Sequence, residues 1–181
     1  MKLQVFERES VDGWDDGRPY NIAFYWARSH FRRKHEEDEF TQRILRLKDG
    51  DMKEVSKFAT LLSDMLCGGI AVAVVPSHDP AKAESGIRKV ARAVAAEHNR
   101  TNLTDVIVRT HRIQPLHLGG DRSESTMRTS LAVKQAELIR GQTIVVLDDV
   151  TTHGTSLSVC RSLLLEHGAE RVKLLALGKT K

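Results

Sequence analysis

Residues 141–157, GQTIVVLDDVTTHGTSL, constrain the fold of this chain more than any other stretch. Residues 144–147 are an apolar, β-branched-rich run bounded by polar residues, the pattern of a strand buried on both faces of a parallel sheet. Asp148 and Asp149 follow at once, then Val150 and the hydroxyl-rich run Thr151, Thr152, His153, Gly154, Thr155 and Ser156. Leu157, Cys160, Leu163 and Leu164 then recur at helical spacing. A strand, a polar loop and a helix in this order place the acids and hydroxyls at the carboxyl end of a strand, where open α/β sheets bind their ligands.

The chemistry of the stretch follows from its parts. A helix N-terminus presents unpaired backbone N–H groups and a partial positive charge. Gly154 admits a close backbone approach or a positive φ, and the Thr and Ser hydroxyls add donors. Such a loop suits a phosphate monoester. It has no lysine, which sets it apart from the loop that grips nucleotide triphosphates. Two adjacent carboxylates suit ribose hydroxyls or hydrated Mg²⁺. A phosphate site beside a diol site suggests a phosphorylated sugar. The simpler reading is that the acids cap a strand and the hydroxyls cap a helix. The whole constellation in this order favours the ligand site.

Composition narrows the class. At 181 residues, with 40% hydrophobic and 29% charged residues, the chain is expected to be one soluble domain with a substantial core. A net charge of +4 fits an anionic small substrate as well as nucleic acid. With aromatics at 5% and no basic stripe interleaved with them, nucleic acid is disfavoured. Cys67 and Cys160 are the two cysteines. Both are expected to be small core residues, with no disulfide and no zinc ribbon. No secretory or membrane-spanning run is evident, so a cytoplasmic protein with no membrane partner is expected.

Along the chain, residues 12–19 read as a turn, and their Asp15–Asp16 pair as solvated turn residues. Residues 20–26 read as a strand or packed segment. A charge run over 29–39 reads as a solvated face, and a short helix should follow up to Asp49-Gly50. A helix over 52–67, a buried strand over 70–75, a helix over 81–98 and a strand over 105–109 come next, with parallel pairing implied by the alternation. Residues 110–128 are long and polar, with His111, Arg112, His117, Gly119-Gly120, Arg122 and Arg128. They suit a loop closing over an anion, or a surface loop without a role. The last core strand is expected over 172–177. Tyr20, Phe24, Tyr25 and Trp26 could stack on a base, although core packing is the simpler role.

The run IVVLDDVTTHGTS resembles the phosphoribosyl-pyrophosphate (PRPP) motif of type I phosphoribosyltransferases through all thirteen positions, with His153 where a small hydroxyl residue is usual. Within that superfamily the chain is most similar to the ComF-like, competence-associated group, from about Phe40 to Leu177. The segments ILRLKDGD, AVVPSHDP with Gly86-Ile87, and VIVRTHRIQPLHLGGDR carry the wider likeness. The cysteine-rich zinc ribbon of many members is absent, and Ser85 stands where an Arg commonly precedes the Gly. The resemblance implies a Rossmann-like parallel sheet flanked by helices, with residues 1–50 as an N-terminal hood over a core of 51–181. It implies that Val150, Thr151, Thr152, His153, Gly154, Thr155 and Ser156 hold the 5-phosphate of PRPP, and that Asp148 and Asp149 hold the ribose hydroxyls. Ser77, His78 and Asp79 would form the diphosphate loop; as residues alone, His78 and Asp79 read equally as a turn pair. Arg109 and Arg112 would contact the diphosphate or close over it. Mg²⁺ would be held mainly through PRPP, with Asp148 and Asp149 as its protein contacts.

The implied activity is transfer of a phosphoribosyl group to a nitrogenous acceptor, a base or an amine, with release of diphosphate, as in nucleotide metabolism. The alternative is a regulatory or interaction protein that binds PRPP or a nucleotide without catalysis. A Mg²⁺-dependent phosphohydrolase with Asp148 as nucleophile ranks below both, since such enzymes separate their two acids by one residue. Many relatives are dimers, so the resemblance allows a homodimer.

Overall fold

The computed structural model describes residues 19–82, 84–113 and 123–181. Five parallel strands form the main sheet in the order β1-β7-β6-β2-β3. They are β1 (Tyr20–Tyr25), β2 (Ala71–Val74), β3 (Thr101–Asn102), β6 (Thr143–Thr151) and β7 (Arg171–Thr180). A separate antiparallel pair joins β4 (Ile107–Arg109) to β5 (Leu131–Val133). The helices are α1 (Arg32–Glu37), α2 (Glu39–Lys48), α3 (Met52–Met65), α4 (Gly86–Ala95), α5 (Glu124–Thr129) and α6 (Thr155–Glu166). The result is the expected α/β fold, a Rossmann-like parallel sheet flanked by helices. No helix among the described residues is long and apolar enough to cross a membrane.

The sheet separates two cores. One gathers Phe40, Ile44 and Leu47 of α2, Phe58 and Leu62 of α3, and Val90 and Val94 of α4 against Val72, Val145 and Leu175. The other packs Leu157, Cys160 and Leu164 of α6, with Ile107, Met127 and Ile139, against Ile144, Val146 and Leu174. Strands buried on both faces must be apolar at every position, which is why β2 and residues 144–147 are unbroken hydrophobic runs. The N-terminal segment joins this body: β1 pairs in parallel with β7, and α2 sends its apolar face into the first core.

Chain order makes β2 and β6 the switch point. From β2 the chain winds outward through α4 to β3; from β6 it winds the other way through α6 to β7. The carboxyl ends of β2 and β6 therefore open onto a crevice left by the diverging connections. β2 ends at Val74, opposite Leu147, whereas β6 and β7 continue pairing to Thr151 and Lys179.

Several elements differ from expectation. Residues 105–109 do not extend the parallel sheet. Ile107–Arg109 pairs antiparallel with Leu131–Val133, and the parallel neighbour of β2 is Thr101–Asn102. Those two residues are exposed and polar, and the Asn102 side chain accepts from the Thr104 amide and hydroxyl, turning the chain at once. The helix expected over 81–98 is the shorter α4, because Ser85 caps it by accepting from the Arg88 amide at 3.3 Å. The two acids lie inside β6 rather than beyond it. Cys67 is exposed, since α3 stops at Met65 and Leu66 turns extended; Cys160 is buried as expected. The turn expected over 12–19 lies outside the described residues but for Pro19, and so do His117, Gly119, Gly120 and Arg122 of the closing loop.

Candidate active site

The crevice between β2 and β6 has a volume of about 320 Å³. Asp148 and Asp149 line it from β6, Ser77 and His78 from the loop after β2, Ser85 and Gly86 from the start of α4, and Lys48 from the end of α2. A second hollow of about 230 Å³ is walled by Thr151, Thr152, His153, Gly154 and Thr155. The two share Asp148, Val150 and Ser156, so they form one continuous surface.

The loop before α6 leaves the start of that helix without a side-chain cap, as Phe31 does at the start of α1. Helices α2, α3, α4 and α5 each begin with a side-chain cap, from Asp38, Asp51, Ser85 and Ser123. α6 begins at Gly154, φ +84°, with no side-chain cap. The first free amides of this helix therefore meet the hollow without a protein acceptor supplied by the cap. A Cβ on Gly154 would stand 2.8 Å from Pro19 Cγ as well as straining the backbone. Thr151 is buried, Thr152 shares a hydroxyl contact with Thr180 at 3.1 Å, and His153 is exposed.

The two acids look different ways. Asp149 pairs with Lys48 Nζ at 3.4 Å, on the side of α2. Asp148 accepts from the Asp149 amide at 2.9 Å and lies on the side of Cys160. Burial, with the Asp148 carboxylate second, pushes the Cys160 thiol up to about 12, against an opposing pull from Arg109. That thiol is therefore protonated and inert, a packing residue beneath the acids.

Arg109 organises the opposite wall. Its side chain is buried; Nε donates to the Ser77 carbonyl at 3.0 Å, Nη2 to the Pro76 carbonyl at 3.4 Å and Nη1 to Ser130 Oγ. The Ile113 amide donates to the His78 carbonyl at 3.1 Å. The described residues contain no cis peptide, and a trans peptide points its N–H opposite to its C=O. Fixing the Pro76 and Ser77 carbonyls on Arg109 thus turns the Ser77 and His78 amides away from that side. Ser77 Oγ accepts from the Asp79 amide at 3.3 Å, and Arg112 Nε lies 3.6 Å from Asp79 Oδ2. Arg112 is mostly exposed.

Every site residue predicted from sequence and described here borders these hollows or the loop beside them. Lys48 and Lys82 also line the crevice and were not expected. Lys48 was visible only as the end of a short helix; its meeting with Asp149 is made by tertiary packing.

A model of the phosphoribosyl transferase domain family matches residues 91–179. The matched stretch includes α6, both acids and the whole Thr151–Ser156 run that walls the second hollow. Comparison with curated proteins gives no match. Among solved structures, the chain is similar to the allosteric regulatory enzyme of purine biosynthesis, at 20% identity and TM-score 0.42, over 67% of this chain and 24% of that one. It is similar as well to two crystal forms of a hypoxanthine phosphoribosyltransferase from Staphylococcus aureus. These show 11% and 12% identity and TM-score 0.44, over 77% of this chain and 74% and 73% of theirs. The chain spans about a quarter of the first structure's length.

Proposed function

We propose that the crevice binds PRPP and transfers its phosphoribosyl group to a nitrogenous acceptor. The observation that carries the reading is the linear order of three surfaces within the stretch that the phosphoribosyl transferase family model matches and the loop that faces it. The uncapped α6 N-terminus with Thr152 to Ser156 suits a 5-phosphate. Asp148 and Asp149 suit the ribose hydroxyls. The loop of Ser77, His78 and Asp79, its carbonyls tied back by Arg109 and Ile113, suits a diphosphate.

In this reading the C1–O bond of PRPP breaks first, its electron pair leaving with the diphosphate, towards an oxocarbenium-like transition state. The Ser77 and His78 amides, with the nearby cations Lys82 and Arg112, stabilise the departing negative charge. Arg109 acts by holding that loop in shape. Lys48 positions Asp149, and the acids hold the ribose so that C1 faces the acceptor. The acceptor nitrogen then donates its electron pair to C1 and loses its N–H proton to the departing diphosphate or to water.

The donor set fits Mg²⁺. That ion prefers oxygen ligands and retains waters, and two carboxylates border the crevice. No group of three or more His, Cys, Asp or Glu gathers among the described residues. Asp148 and Asp149 would hold an ion that takes its remaining ligands from substrate and water. Bound there, Mg²⁺ would neutralise charge developing on the diphosphate.

The test is a diphosphate-release assay with PRPP, Mg²⁺ and a panel of bases and amines. Release with at least one acceptor, reduced about ten- to a hundredfold by Asp149→Asn, supports transfer. PRPP binding without release for any acceptor would favour the non-catalytic alternative. Release unaffected by Asp149→Asn would remove the acids from the assignment.

A further inference from the structure

A third hollow, of about 270 Å³, is lined by the 76–80 loop together with residues of α4 and β4, and by neither Asp148 nor Asp149. Five cationic side chains line it against two carboxylates, Asp79 and Asp105. Arg88 and Arg92 of α4 meet at Asp105, and Arg92 Nη1 also donates to Glu84 Oε1 at 2.5 Å. Arg88 Nη1 lies 2.5 Å from Asp105 Oδ1, and Arg92 Nη2 lies 3.3 Å from both Asp105 oxygens. Arg88 also donates to the Thr104 carbonyl at 2.7 Å, so its fork is held in place. Lys134 and Lys82 complete the rim with no side-chain ion pair or hydrogen bond to described residues. An excess of positive charge held on one wall, with two lysines that pair with no described residue, suits an anion that can accept several donors at once.

We infer that this hollow is a second anion site, selective for small phosphate-bearing anions, and that it competes with the catalytic crevice for Lys82. Lys82 lines both hollows, and its flexible ammonium serves one anion at a time. Pro76, Ser77 and Arg109 border both as well, so the loop is the shared wall. An anion bound in this hollow draws Lys82 out of the crevice and weakens binding of a diphosphate there; by linkage, a ligand in the crevice weakens the second site equally. The existence of the second site does not depend on the proposed activity; the coupling to PRPP rests on it.

Inorganic phosphate is the probe, followed by amide NMR on the intact chain. Two groups of amides should respond: 152–156, and separately Asp105, Val108 and Lys134. Lys134→Glu, an exposed change outside the catalytic crevice, should weaken the second response about tenfold or more and leave the first intact. The same variant should bind PRPP as wild type does without phosphate, yet lose that part of the inhibition by phosphate that acts through the second hollow. A phosphate response confined to 152–156 would overturn the second site. A response at both groups with phosphate inhibition of PRPP binding identical in wild type and Lys134→Glu would overturn the competition for Lys82. Failure of PRPP to perturb 152–156 would count against the proposed function instead, and leaves the phosphate result to decide the second site by itself.

Discussion

Replacing Gly86 by alanine tests how the crevice is built. Gly86 opens α4 against the end of α2, and a Cβ there would stand 1.9 Å from the Leu47 carbonyl oxygen and 2.7 Å from its carbon. Close carbon–oxygen contacts lie at about 3.3 Å, so one helix end must move by more than about 1 Å. Nothing nearby yields easily. Leu47 is fully buried, the obstructing atoms are backbone, and α2 and α4 share the first core. Overpacking of this kind costs about 3 kcal/mol, the upper part of its usual range. For a chain of this size that lowers Tm by roughly 6–12 °C. The displacement also carries Lys48, the next residue, away from Asp149. Gly69→Ala is the matched control: φ is +73° but no atom lies within 4 Å of the added carbon. It should cost about 1 kcal/mol of backbone strain, near 2–4 °C. Thermal melts followed by circular dichroism on the three proteins decide the matter. A Gly86→Ala protein melting within about 2 °C of wild type, or a Gly69→Ala protein melting lower than it, would refute the packing argument.

Arg100 is a buried cation with no buried acid beside it among the described residues. It donates to the carbonyls of Ser63 in the last turn of α3, of Leu66 and Cys67 just beyond it, and of Val94 in α4, and burial lowers its pKa. Arg100→Ala should cost about 3 kcal/mol or more, read from the urea midpoint, and Arg100→Lys should restore only part, because one ammonium cannot span four carbonyls. Glu54 is buried, which by itself would raise its pKa, but hydrogen bonds and charges from Arg43 and Lys57 outweigh burial and hold it below the ordinary value. Its stabilisation is therefore full at neutral pH and lost as pH falls through the depressed value. The stability gap between wild type and Glu54→Gln should close on acidification below about pH 4. With Cys160 at about 12 and Cys67 exposed, a thiol reagent at pH 8 should label one cysteine in the folded protein and the second only on unfolding.

The parts legible in the sequence are those whose function demands a local pattern. Residues 144–147 had to be apolar throughout to lie between two cores, and Gly154 at the head of α6 leaves that helix without a side-chain cap. The parts that were not legible are set by distant packing. Thr101 and Asn102 form a strand because β2 offers them an edge, and nothing in two exposed polar residues announces it. The acids remain in β6 because β7 continues to pair with them past the point where β2 ends. Lys48 reads as a solvated helix end until α2 is docked beside β6. Arg100 reads as a surface cation until two helix ends deliver their carbonyls to it. Cys67 misled because the apolar spacing of α3 runs on past Met65, where the backbone turns extended.

The central claim is that one crevice, floored by Asp148 and Asp149 and ended by the α6 N-terminus, binds PRPP. Calorimetric titration of the chain with PRPP, with and without Mg²⁺, tests it directly. The account predicts Mg²⁺-dependent binding that is lost in the Asp148→Asn, Asp149→Asn double variant while the thermal midpoint of that variant stays close to wild type. No binding by the wild-type chain, or binding unchanged in the double variant, would contradict it.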